Sequence, residues 1–246
     1  MVDDISENGA SSRLAPYALE TLRVDNEFVV SRGKRLGEPA NILTVTTSGR
    51  SPSAATLAQL KHPYTLRHEL DGTWATRPIA LVQELGCLTL FLEDPGGELL
   101  DSLLGEPLSI AEFLRLAIGL AATVRRLHQQ GLIHKDIKPA NLLVQPSTGQ
   151  VWLTGFGLCS RVPRERQALK PAEVIAGTLA YMAPEQTGRM NRSVDSRADL
   201  YSCGVTLYQM LTGQLPFSAS DAMEWLHCHI ARQPLSPSQR IEGIRP

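Results

Sequence analysis

The first third of the chain alternates short apolar runs with turn residues, and the rest carries longer runs at helical spacing. Ala18–Val24, Glu27–Arg32 and Asn41–Thr47 are rich in β-branched residues, and Gly33, Gly37 and Pro39 interrupt the region. Such runs predict strands. Ser53–Leu70 has helical spacing with Pro63 inside it, which predicts a helix that starts or kinks near that proline. Ile79–Gln83 and Leu88–Leu92 read as two further strands. Five short strands and one helix predict a small, mainly β lobe.

The character changes after Asp94-Pro95-Gly96-Gly97. Ser109–Gln130 is the clearest helix. Ser109 and Glu112 form a capping box, and Gly131 stops the run. Ile110, Phe113, Leu114, Ala117, Ile118, Ala121, Val124 and Leu127 form its expected core stripe. Asp199–Leu211, closed by Gly213, is apolar nearly all round and is expected to be buried. Ser220–Ala231 reads as a third helix with Ser220 as its N-cap. The second part is therefore a helical lobe, with Pro95–Gly97 as hinge.

Composition narrows the function classes. The chain has 246 residues, 43% hydrophobic and 20% charged, with a formal net charge of -1. These values suit a globular protein with a sizeable core. They offer no basic field to hold nucleic acid. No apolar run is long enough to span a membrane. The polar N-terminus, Met1–Ser12, lacks the regions of a signal peptide and is expected to fray. Cys87, Cys159, Cys203 and Cys228 are scattered and read as reduced thiols of a cytoplasmic protein. In His227-Cys228-His229 the two histidines lie two apart, and such neighbours on a helix do not face one another. That run is read as no metal site.

Residues 132–144 concentrate the chemistry. Asp136, Lys138 and Asn141 stand between apolar segments. Phosphoryl transfer to a hydroxyl needs such a set: a carboxylate to orient the hydroxyl and accept its proton, a cation for the transferring phosphoryl, and an oxygen ligand for Mg²⁺.

At this point the sequence resembles the protein-kinase family. His134-Lys135-Asp136 is similar to the family's His-Arg-Asp, and Lys138 follows the Ser/Thr-type pattern. The resemblance implies Asp136 as base, Lys138 as phosphate cation and Asn141 as metal ligand. Three further matches lie downstream, at Gly177-Thr178 with 181–185, at 199–204 and at 211–217. In the family the Asp of the second braces the catalytic loop backbone, here Asp199. The resemblance covers Leu14–Ala231. It implies an α+β bilobal fold: a disordered tail over 1–13, a β-rich N-lobe over 14–94, and a helical C-lobe over 95–246, incomplete at its C-terminus. Glu185 then lacks the arginine that the family supplies from later helices, and the chain is expected to be a fragment. The stretch 177–192, with Asn191-Arg192, resembles the kinase-like N-terminal domain of bacterial hybrid sensor histidine kinases.

The resemblance also implies ATP and Mg²⁺ as cofactors, with Leu92, Glu93 and Asp94 at the adenine hinge and Leu143 as pocket floor. Several motifs depart from the family. Gly155-Phe156-Gly157 stands where the family has Asp-Phe-Gly, so the second metal carboxylate is missing. Residues 22–28 carry no glycine where a glycine-rich loop should cover phosphates, and Asp25 and Glu27 would repel them. Thr44 matches the strand lysine, and Pro63 the helix glutamate. Glu69, Lys34 and Lys61 are the remaining candidates to substitute. Arg161, Arg164, Arg166 and Lys170 make the following segment basic. It reads as a solvated loop, or as a docking surface for an acidic partner. Three readings follow: a pseudokinase module that binds protein partners (downstream signalling domains or a substrate protein), an atypical active Ser/Thr kinase using Asp136, and a nucleotide sensor that transfers nothing.

Overall fold

A computed structural model describes residues 17–35, 41–49, 51–84, 86–161, 179–188 and 193–243. The expected tail at 1–13, Arg164, Arg166, Lys170, Gly177-Thr178 and Asn191-Arg192 fall outside these residues. The chain divides into two compact units, Met1–Gly96 and Gly97–Pro246.

The first unit is a five-stranded antiparallel sheet with one helix. Its strands are β1 (Tyr17–Val24), β2 (Phe28–Arg35), β3 (Asn41–Thr47), β4 (Pro78–Glu84) and β5 (Cys87–Glu93), in the order β1-β2-β3-β5-β4. The centre of the sheet is the most apolar part, and Leu43, Leu90 and Leu92 are buried there. Helix α1 (Ala54–Thr65) starts at Ser53, whose hydroxyl accepts the Thr56 N–H at 3.0 Å. Pro63 does not start it. The proline lies buried in the last turn, and the helix ends two residues later rather than at Leu70.

The second unit is built on helices. Strands β6 (Glu98–Leu99), β7 (Leu132–Ile133), β8 (Leu142–Gln145), β9 (Gln150–Leu153) and β10 (Ser160–Arg161) form two small sheets, β6-β8-β9 and β10-β7. Helix α2 (Ile110–Gln129) is capped by Ser109, which accepts the Glu112 N–H and donates to the Glu112 carboxylate at 2.6 Å.

The expected core stripe of α2 is corrected. Leu116, Leu120, Thr123, Val124 and Leu127 are buried, whereas Ile110, Leu114 and Ile118 are 52%, 51% and 70% exposed. The helix has two apolar rows, and packing against the β8–β9 hairpin and the helix Ser196–Thr212 selects one. Thr123 donates to the Val151 carbonyl at 2.8 Å, and Gly119 faces Gly149.

Helix α3 (Ser196–Thr212) begins three residues earlier than expected. Asp195 caps it, and Gly213 ends it at φ +70°. It is not buried all round, since Leu200 is 57% exposed. Helix α4 (Ala222–Ala231) is capped by Asp221, not by Ser220. The Ser220 hydroxyl and N–H instead donate to the Glu224 carboxylate. All four cysteines are free thiols. Cys87 is exposed, while Cys159, Cys203 and Cys228 are buried in the second unit.

Candidate active site

Residues 134–141 connect β7 to β8, and buried Leu132, Ile133, Ile137 and Leu142 pin them to the core. The loop cannot form a ladder of its own, so its backbone needs other partners. Asp199 supplies them. Its fully buried carboxylate accepts the His134 N–H at 2.9 Å, the Lys135 N–H at 2.8 Å and the His128 Nε2–H at 2.9 Å. His128 was not singled out in the sequence; its signal is a histidine in the last turn of α2.

His134 is buried and locked in one tautomer. A carbonyl only accepts, so Nε2 carries the proton donated to Thr154 O at 2.9 Å. Nδ1 then accepts the Asp136 N–H at 3.2 Å. The ring meets Phe156 edge-on, with centroids 4.9 Å apart. Burial pushes the His134 pKa below its ordinary value, against the pull of Asp199 and Asp136. His229, also buried, is lowered mainly by burial too. The neutral rings are favoured in the folded chain, so folding is opposed once they must protonate. Their contribution to stability is complete above about pH 6.5. It is expected to fall as pH drops from there through the lowered folded-state values. Urea unfolding at pH 7.5 and pH 5 checks this, and equal stabilities at the two would contradict it.

The structure brings Asp136, Lys138 and Asn141 together. Asp136 Oδ2 accepts from Asn141 Nδ2 at 2.7 Å and pairs with Lys138 Nζ at 3.0 Å. The same Asn141 amide also donates to the Asp136 carbonyl at 2.8 Å. Asp136 Oδ1 is buried and accepts no hydrogen bond among the described residues. Gly155 adopts φ +79°, ψ +39° at the head of the turn Phe156–Leu158. A Cβ there would lie 2.7 Å from both Cγ and Oδ1 of Asn141, so the Asn141 amide abuts the place where a side chain would begin.

The first unit holds the other sequence candidates. At the β1–β2 turn, Asp25 Oδ1 accepts the Glu27 N–H at 2.9 Å and the Phe28 N–H at 2.7 Å. Arg23 pairs with Asp25, and Thr56 of α1 donates to the Glu27 carboxylate at 3.1 Å. Thr44 is buried at mid-strand. Helix α1 contains no acidic residue. Lys34 and Lys61 are exposed, and Glu69 lies in the turns after α1.

Among the hinge candidates, Leu92 is buried in β5. Glu93 is held by Arg77. The Asp94 side chain is fully buried and accepts from Arg32 Nε at 2.6 Å and Nη2 at 3.1 Å. Asp94 Oδ1 also accepts the Gly96 N–H at 3.0 Å. Leu143 is buried in β8 of the second unit.

Among the described residues no helix is long and apolar enough to cross a membrane. Residues 69–241 match the protein kinase domain family. The serine/threonine-protein kinase PknB of Mycobacterium leprae is 40% identical over 117 residues, 48% of this chain and 18% of that protein. The serine/threonine-protein kinase pkn3 of Myxococcus xanthus is 32% identical over 169 residues, 66% of this chain and 30% of that protein. The serine/threonine-protein kinase PksC of Streptomyces coelicolor is 34% identical over 133 residues, 54% of this chain and 23% of that protein. The chain thus matches between 18% and 30% of the length of these relatives. With its α+β units, its Asp199-braced loop and a family match over residues 69–241, the chain belongs to the protein kinase domain family, as a domain of the serine/threonine-kinase type.

Proposed function

We propose that this chain is a pseudokinase-type regulatory module. It keeps the kinase loop as an assembled element and acts by binding a protein partner, a downstream signalling domain or a substrate protein. One observation carries the reading: backbone donors that a nucleotide would need are already held by the chain's own carboxylates. A phosphate loop offers bare N–H groups to anions. Here the Glu27 and Phe28 N–H groups point to Asp25. Beside the adenine hinge Pro95 has no N–H to give, and the Gly96 N–H that follows it points to Asp94. A phosphate would have to displace a carboxylate tied to its own turn, and would face its charge on the way in.

The chemistry of the donor set points the same way, and ATP with Mg²⁺ does not fit the residues present. Gly155 supplies no carboxylate, and Asn141 Nδ2, a donor, is turned onto Asp136. The strand position matched to the family's lysine is Thr44, and α1 has no acid to pair with one. Each charge-stabilising group of such a site is typically worth about 10²–10³ in rate. Their joint absence supports loss of phosphoryl transfer.

A second reading, an atypical active Ser/Thr kinase, has one observation in its favour. Asp136 keeps a buried oxygen without a partner, as a base awaiting a hydroxyl would. Melting the chain with and without millimolar ATP and Mg²⁺ separates the readings. The regulatory reading predicts no shift. Ligand at about 100 times its dissociation constant would add roughly 2.7 kcal/mol, or several degrees in midpoint. A rise that requires Mg²⁺, with phosphotransfer abolished by Asp136→Asn, would establish the active kinase instead. A rise indifferent to Mg²⁺ would mark a nucleotide sensor.

A further inference from the structure

Lys135 is the one non-glycine residue with a left-handed backbone among the described residues, at φ +68°. An L residue there is disfavoured because Cβ crowds the following carbonyl, so surrounding contacts must hold it. Both faces of this residue are held. Its N–H donates to Asp199 Oδ1 at 2.8 Å. Its carbonyl accepts from Gln186 Nε2, also at 2.8 Å. Asp199 belongs to α3, whereas Gln186 belongs to the 3-10 turn Pro184–Thr187.

Gln186 is buried, and both ends of its amide are used. While Nε2 donates to Lys135, Oε1 accepts the Ala183 N–H at 3.1 Å. The site requires one donor and one acceptor on the same side-chain tip. An ionised glutamate lacks the donor, methionine lacks both, and asparagine is a methylene shorter. The turn itself is seated, since Ala183 packs with Val194 and Ala198 in a small buried cluster against Tyr201.

We propose that Gln186 is a positioning residue. It ties the Lys135 carbonyl to the 183–188 turn and so fixes the backbone that presents Asp136. Force applied to that turn, as by a docked protein, is passed to the loop through one side-chain amide. The inference rests on the reading that the loop is kept assembled, and its test needs neither nucleotide nor phosphotransfer. A failure here leaves that reading standing. A nucleotide-induced melting shift would overturn that reading without touching Gln186.

Hydrogen exchange on the whole chain tests it. Gln186→Met keeps length and removes both hydrogen bonds. Amides in 134–137 are expected to exchange about tenfold faster, with α3 unchanged. The second arm is Lys135→Gly, because glycine accepts positive φ without strain. In that background the loss of urea midpoint caused by Gln186→Met is expected to fall to about half. A Gln186→Met chain that folds only in the Lys135→Gly background also supports the link. Unchanged exchange at 134–137, an equal rise across α2 and α3, or the same midpoint loss in both backgrounds overturns it.

Discussion

Replacing Asp199 by alanine is expected to remove about 3–5 kcal/mol of stability, the scale for stripping one member from a buried charged network. The carboxylate is fully buried and serves three donors: the His134 and Lys135 amides and the His128 ring. The two amides have no water to turn to once the side chain is gone, whereas the His128 ring is partly exposed. Each unsatisfied buried donor costs on the order of 1–3 kcal/mol. The two amides also belong to the loop that carries Asp136, so the damage falls on the candidate site. For a chain of this size the midpoint should drop by on the order of 10 °C. Thermal melts followed by circular dichroism measure this directly. A loss below about 1 kcal/mol would mean that the loop stands without its brace.

Gly119→Ala is expected to destabilise by about 1–3 kcal/mol, against the ordinary preference of helices. In an exposed helix interior, alanine would gain about 1 kcal/mol over glycine. Here a Cβ would sit 2.0 Å from the Gly149 carbonyl oxygen and 2.9 Å from a Val151 methyl. The other side of the contact has no slack. Gly149 is at φ +78°, and a Cβ on it would strike the Arg115 side chain and backbone. The β8–β9 hairpin therefore lies directly on α2, backbone against backbone. Urea denaturation gives the sign, and a gain in stability would mean the hairpin rides higher than described.

The parts of this architecture that were legible in the sequence are those whose signal is local. The β-branched and short apolar runs placed the five sheet strands to within a few residues, and Ser109 with Glu112 placed the start of α2. Asp136, Lys138 and Asn141 stood out because unlike polar groups between buried segments need a reason. Where two local choices were equally good, the pattern could not decide. Ile110, Leu114 and Ile118 make as regular a row as Leu116, Leu120 and Val124, and only packing against the hairpin and α3 distinguishes them. Ser220 and Asp221 are both good caps, and the backbone used the second.

Apart from the Asp199 brace, which the family resemblance implied, long-range pairings were invisible. Gln186 lies 51 residues from Lys135, and nothing in its local sequence singled it out. The acids at 25 and 94 were read as repulsion and as a hinge contact. The structure adds that their carboxylates cap backbone amides, which depends on turn geometry as much as on charge.

The placement of the thiols gives the chain a built-in clock. Cys87 sits alone on the first unit and is open to solvent, whereas the second unit hides the other three. Burial holds the Cys203 thiol up at about 12, so it offers almost no thiolate until its surroundings come apart. A short pulse of alkylating reagent would thus tag one cysteine at once. The slower appearance of the second, third and fourth tags would time the opening of the helical unit, with no engineered label.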